Sequence, residues 1–261
     1  MANDTSALLT LHDIGVRFGG LPALDGVSFN IPRGAIKGLI GPNGAGKSTL
    51  FNTISGNTAP TSGTIHFDGA RIDTVPMARR AQRGIARTFQ NLQLFGQQTV
   101  LENVMVGCHP RTHAGLVASI LRTPAQRREE RAIYDESMAA LDTFGLADRA
   151  HRLAGTLSFG EAKIVEIARA IVSRPMLMLL DEPVAGVPHG EVEQVIAAID
   201  NVNRAGVTLL LVEHNLGFVM SLCDELVVLD HGCLIADGEA EAVVRDPAVL
   251  TAYLGEELAD A

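Results

Sequence analysis

Short apolar runs alternate with helix-period patterns along most of the chain. Ala35 to Ile40, Met176 to Leu180 and Val207 to Val212 are each brief and bounded by turn signals, as strands buried on both faces of a parallel sheet should be. The first run leads into a glycine-rich stretch, Gly41 to Gly46, and then a helical Lys47 to Ser55 closed by Gly56. Gly190 to Ala205, ended by Gly206, reads as a crossover helix feeding the third run. The pattern predicts an α/β fold around a central parallel sheet.

Two regions depart from this alternation. Leu8 to Phe18 and Val27 to Ile31 alternate apolar with polar residues, and Thr64 to Phe67 precedes an Asp68-Gly69 turn, which predicts an antiparallel β patch beside the parallel core. From Thr99 to about Arg174 the pattern is helical. There Thr99-x-x-Glu102 and Ser158-x-x-Glu161 have capping-box spacing, Pro124 interrupts, and Gly145 ends the segment Arg127 to Phe144. Residues after Gly255 read as a frayed tail. With 47% hydrophobic positions in 261 residues, the chain can bury a sizeable core. Its 30 acidic against 21 basic side chains, net −9, argue against a nucleic-acid partner. No run approaches the roughly 18 apolar residues of a membrane-spanning helix, and Met1 to Leu11 lacks the pattern of a signal peptide, so neither spanning nor export by that route is expected. Cys108, Cys223 and Cys233 are an odd set with no CxxC spacing, which suggests a reducing compartment rather than disulfides or zinc.

The candidate chemistry begins at Gly41-Pro42-Asn43-Gly44-Ala45-Gly46-Lys47-Ser48, which fits G-x-x-x-x-G-K-[ST] and lies between a predicted strand and a predicted helix. Glycines let the backbone wrap closely around a polyphosphate, with N–H groups and the positive helix end directed at it. Lys47 is placed to reach the outer phosphates and Ser48 to hold magnesium, with Thr49 completing the cradle. Met176 to Leu180 ends in Asp181-Glu182. At the carboxyl end of a parallel strand, Asp181 can enter a magnesium shell while Glu182 projects toward the γ-phosphate to orient and deprotonate water. Adjacent acids at a strand end are also common solvated turn residues; their place about 130 residues after a phosphate loop favours the catalytic reading.

P-loops serve several enzyme classes, and other residues choose among them. Leu157-Ser158-Phe159-Gly160-Glu161, about twenty residues before Asp181, resembles the LSGGQ signature of ATP-binding-cassette (ABC) proteins. Gln90 resembles their Q-loop glutamine and His214 their switch histidine, all in the family's order. The resemblance implies a P-loop NTPase (RecA-like) core of residues 1–98 and 175–261, carrying the antiparallel β subdomain, with 99–174 inserted as a helical signature subdomain. It implies ATP and Mg2+ as cofactors. It also implies that Ser158 and Gly160, with Glu161, contact the γ-phosphate held by an opposite subunit. Gln90 would touch magnesium or water and report nucleotide state to a membrane partner, His214 would assist at the γ-phosphate, and Phe18 matches the adenine-stacking aromatic. Three departures stand out: Phe159 replaces a signature glycine, Glu161 replaces glutamine, and Pro188 stands where the D-loop commonly has Asn or Asp. No Asn-Lys-x-Asp guanine-reading motif is present.

Finer detail resembles the ATP-binding subunits of branched-chain amino-acid uptake systems: Arg17 to Leu21, Arg87-Thr88-Phe89-Gln90, Leu94-Phe95, Thr99 to Val104, Gly186, Ala252-Tyr253-Leu254-Gly255, and an extra segment around Gly115 to Glu130. This implies a peripheral protein on the cytoplasmic face of a membrane. Its implied partners are transmembrane permease subunits, a second ATP-binding subunit and, indirectly, a substrate-binding protein. A lipopolysaccharide-export cassette and a soluble non-transport cassette are the alternatives; one cassette without a coiled-coil extension weighs against the latter. Arg79, Arg80, Arg83 and Arg87 form a local basic group, expected as a solvated face or as a contact to anionic headgroups or an acidic permease surface. Arg127, Arg128 and Arg131 interleave with Glu129 and Glu130, as on an exposed, salt-bridged helix.

Overall fold

A computed structural model describes residues 7–88, 92–111 and 124–259 of the chain. In chain order its strands are β1 (Ala7–Phe18), β2 (Leu21–Pro32), β3 (Ile36–Ile40), β4 (Ser62–Phe67), β5 (Ala70–Arg71), β6 (Ile85–Arg87), β7 (Leu177–Asp181), β8 (Thr208–Val212), β9 (Glu225–Asp230) and β10 (Cys233–Glu239). The α-helices among the described residues are α1 (Lys47–Ser55), α2 (Met77–Gln82), α3 (Val100–Val106), α4 (Pro124–Thr143), α5 (Phe159–Ile171), α6 (His189–Arg204), α7 (Leu216–Leu222), α8 (Ala240–Val243) and α9 (Pro247–Ala259).

The strands form two sheets. One is antiparallel, in the order β2-β1-β4-β5; the other runs β10-β9-β3-β8-β7-β6, parallel throughout except for the β9–β10 hairpin. The continuous apolar runs of the central strands have a two-sided explanation. Ile40, Met178, Leu180, Leu209, Leu211, Leu226 and Val228 face a core shared with α3, α5, α6 and α7. The alternate residues Leu39, Leu177, Leu179, Leu210, Val212, Val227 and Leu229 face a second core, shared with Leu50, Phe51 and Ile54 of α1 and with the antiparallel sheet. A strand buried on both faces has no polar side to show in its sequence. The phosphate-loop helix α1 shares its core with both sheets, so its position is fixed from two sides.

The helix ends follow their local chemistry. Thr99 and Ser158 each close a reciprocal capping box with Glu102 and Glu161, and Gly56 ends α1 at φ 86°. Pro124 is the first described residue of α4, and the residues before it, which decide whether it interrupts a helix, lie outside the described residues. Several expectations change. Residues after Gly255 continue α9 to Ala259 instead of fraying. Gln90, Phe89 and the Gly115–Thr123 part of the extra segment lie outside the described residues. The basic group is not one surface. Arg79 and Arg83 are exposed, but Arg80 is 1% exposed and Arg87 is largely buried, each taken inward by specific acceptors.

Candidate functional site

The phosphate loop leaves β3 and enters α1 through three glycines at positive φ, two of which have no room for a Cβ. At Gly41, φ 145°, a Cβ would lie 2.1 Å from the Leu229 carbonyl oxygen; at Gly46, φ 100°, it would lie 2.7 Å from that of Ala23. Gly44 sits at the loop's crest with φ 77°. The loop is thus pressed against β2 and the β9–β10 hairpin, and the hairpin's Gly232 N–H donates to Ala45 O at 3.0 Å. This buttress was missed in the sequence, where the only signal was His231-Gly232 between two apolar runs. Gly46 provides no side-chain cap to α1, so no capping side chain occupies the helix's first amides. Lys47 Nζ curls over the loop, donating to Gly41 O at 2.5 Å and Pro42 O at 2.8 Å.

Asp181 ends β7 opposite Val212 of β8, which is also the partner of Leu39 in β3. The acid pair and the phosphate loop therefore leave the same end of the sheet, two strands apart. Arg87 joins them. Its guanidinium bonds Asp181 Oδ2 at 3.0 Å, and Asn52 Oδ1 and Ser55 Oγ of α1 at 2.7 and 3.1 Å, over the Phe51 ring. Ser48 supplies a hydroxyl and Asp181 a carboxylate, hard oxygen donors of the kind Mg2+ takes together with phosphate oxygens and water. Among the described residues no cluster of three or more His, Cys, Asp or Glu is placed to hold a metal ion.

Glu182 has φ 47°, an uncommon backbone for a residue with a Cβ, held by its N–H to Val212 O and by its carbonyl to Ala185 N–H. That turn breaks the strand's alternation and leaves the carboxylate 24% exposed, 3.9 Å from His214 Nδ1. His214, 69% exposed, leaves the end of β8. Glu213, which sequence reasoning passed over, is 1% exposed beneath it. Its Oε1 accepts from Val184 N–H at 3.3 Å and its Oε2 from His214 N–H at 3.2 Å, so one buried carboxyl fixes the loops that carry both Glu182 and His214. Burial pushes the Glu213 carboxyl above its ordinary range, opposed by those backbone donors. Its signal was a charged residue directly behind an apolar strand.

Phe18 is 55% exposed at the end of β1, paired with Leu21 across the hairpin whose Ala23 and Leu24 reach Gly46. Ser158 and Gly160 open α5, and their bonds go to α6: Ser158 Oγ and Gly160 N–H both donate to Glu191 Oε2, at 3.1 and 2.7 Å. Glu161 turns back to accept from Ser158 N–H and pairs with Arg149. The Phe159 ring lies against Gly186, where an added Cβ would sit 3.4 Å away. Asn43 and Pro42 lie on the loop's outer turn, Pro42 O accepting from Ala45 N–H.

A phosphate loop, an acidic strand end and a histidine at the next strand's end, on a parallel core with a β patch and a helical region, define a nucleotide-hydrolysing P-loop protein of the ATP-binding-cassette class. The ABC transporter family profile matches residues 24–185, and the profile of the branched-chain amino acid ATP-binding cassette transporter matches 233–259. The chain belongs to the ABC transporter family and is an ATP-binding-cassette ATPase. It is 40% identical to the high-affinity branched-chain amino acid transport ATP-binding protein BraF of Pseudomonas aeruginosa and 38% identical to LivG of Escherichia coli, in each case over 95% of this chain and 98% of the relative. An ATP-binding cassette of an ABC transporter solved in its ADP conformation superposes with a TM-score of 0.83 at 35% identity, covering 96% of this chain and 99% of that one.

Proposed function

We infer that this cassette is the motor subunit of an importer for branched-chain or other hydrophobic amino acids. The match at 233–259 carries the solute class, because the profile matched there is that of the branched-chain amino acid ATP-binding cassette transporter. Relatives named for branched-chain amino acid transport support the same reading.

In this reading residues 1–98 and 175–261 are the nucleotide core and 99–174 the signature subdomain. The amides from Gly41 to Thr49 cradle the phosphates of ATP, Lys47 supplies a charge to the outer ones, and Phe18 stacks on the base. Ser48 and Asp181, with Gln90, are the residues that would hold Mg2+, which when bound offsets charge on the outer phosphates. Glu182 takes a proton from the attacking water while His214 steadies the γ-phosphate end, both held by Glu213 behind them. Ser158, Gly160 and Glu161 face the γ-phosphate of a second ATP-binding subunit. Among the described residues no helix is long and apolar enough to cross a membrane, so attachment runs through permease subunits at the cytoplasmic face, with a substrate-binding protein acting through them.

Deleting the gene should lower energy-dependent uptake of leucine, isoleucine or valine and leave envelope lipid export intact. Unchanged amino-acid uptake with lipid accumulating in the inner membrane would assign the cassette to an exporter instead.

A further inference from the structure

The contact between α6 and the start of α5 has a chemical meaning. Ser158 Oγ and Gly160 N–H converge on a single oxygen, Oε2 of Glu191, in the first turn of α6. A hydroxyl, a backbone amide and the positive end of a 13-residue helix select an anionic oxygen, and here the chain supplies one of its own. The fit depends on glycine: a Cβ at Gly160 would lie 2.5 Å from Glu191 Oε2 and 2.8 Å from Glu191 Cβ.

We propose that Glu191 is an internal acidic plug on the signature helix, which the γ-phosphate of an opposing ATP must displace before two cassettes close. This rests on the reading above, that Ser158 and Gly160 meet a second subunit's nucleotide. A carboxylate oxygen and a phosphate oxygen are both anionic and need the same two donors, so they exclude each other. The plug is tied to the hydrolytic end of the molecule. The chain runs from Glu182 through Gly186, φ 75°, to Pro188 at the start of α6, and the Phe159 ring beside Ser158 packs on that same Gly186. Glu191 N–H donates to Pro188 O at 2.8 Å, so the residue is fixed to the loop's end. Closure therefore moves the Glu182 loop as it evicts Glu191, and after hydrolysis the carboxylate retakes its donors and favours opening.

The test uses the full chain carrying Glu182→Gln to suppress hydrolysis, with ATP-driven dimerisation followed by analytical ultracentrifugation. Adding Glu191→Ala should lower the ATP concentration at half-dimerisation by about tenfold, the scale of one charge-assisted hydrogen bond. Glu191→Gln, which keeps an oxygen for both donors but loses the charge, should lower it by less, and it decides the matter if Glu191→Ala does not fold. An unchanged midpoint, or a higher one, overturns the plug while leaving the two-cassette reading intact. If the Glu182→Gln parent forms no dimer with ATP at any concentration, the two-cassette reading falls and the plug with it.

Discussion

In the proposed function, single residues of the corner formed by Lys47, Asp181, Glu182 and His214 have separable tasks. Glu182 is about a quarter exposed on a left-handed backbone, whereas Lys47 lies within the phosphate loop. Glu182→Gln should retain ATP binding and slow hydrolysis by about a hundredfold or more, the scale of losing a general base. Lys47→Ala should weaken nucleotide binding itself, measured by titration with a fluorescent ATP analogue. Normal turnover in the Glu182 variant would remove its assigned role. Glu213 yields a pH prediction. Its carboxyl is raised above the ordinary 4.5 by burial, so on raising the pH the unfolded chain gives up this proton before the folded one does. The folded state therefore loses stability as pH climbs from about 4.5 through the raised value, where the loss stops. Denaturant unfolding of Glu213→Gln beside the parent should show the variant's relative stability growing across that window and flat above it. A constant difference from pH 4 to 8 would contradict this.

At the scale of elements, much of the site could be read from the sequence because its causes are local. Lys47–Ser55 is bounded by two left-handed glycines, and both capping boxes announce their helices within four residues. What was missed depends on partners distant in sequence. β6 is three residues held by its parallel ladder to β7, too short to show a period. Arg80 reads as part of a basic surface, yet its guanidinium bonds the carbonyls of Thr53 and Ile54 in the last turn of α1 and those of Val75 and Asp73. It is a cationic cap that joins α2 to the phosphate-loop helix, and no pattern within α2 reveals carbonyls that arrive from 26 and 27 residues earlier. Burial pulls the Arg80 guanidinium down to about 10, so it is still charged at neutral pH. Arg80→Met should cost about 2–4 kcal/mol in denaturant unfolding, since it strands buried carbonyls at a helix end. A cost under about 0.5 kcal/mol, usual for surface substitutions, would return Arg80 to the solvated face expected from the sequence.

At the scale of the whole molecule, the two anion-seeking ends are built on different elements and, in the proposed function, meet different nucleotides. The phosphate loop is held from behind by β2 and the β9–β10 hairpin, while Ser158 and Gly160 bond to α6. Within one chain the corner formed by the loop, Asp181, Glu182 and His214 lies open, with His214 mostly exposed, and an open corner admits water that screens every charge aimed at the γ-phosphate. A second cassette packed head to tail would close that corner and bring the missing donors. The purified chain should therefore hydrolyse ATP poorly when dilute, and its activity per molecule should rise with protein concentration or on adding permease. Because closing depends on two molecules meeting, the rise should be steepest at low concentration and level off once most chains are paired. Specific activity that is high and independent of dilution would mean that one chain completes the site alone, and the separation of Ser158 from the phosphate loop would then need another purpose.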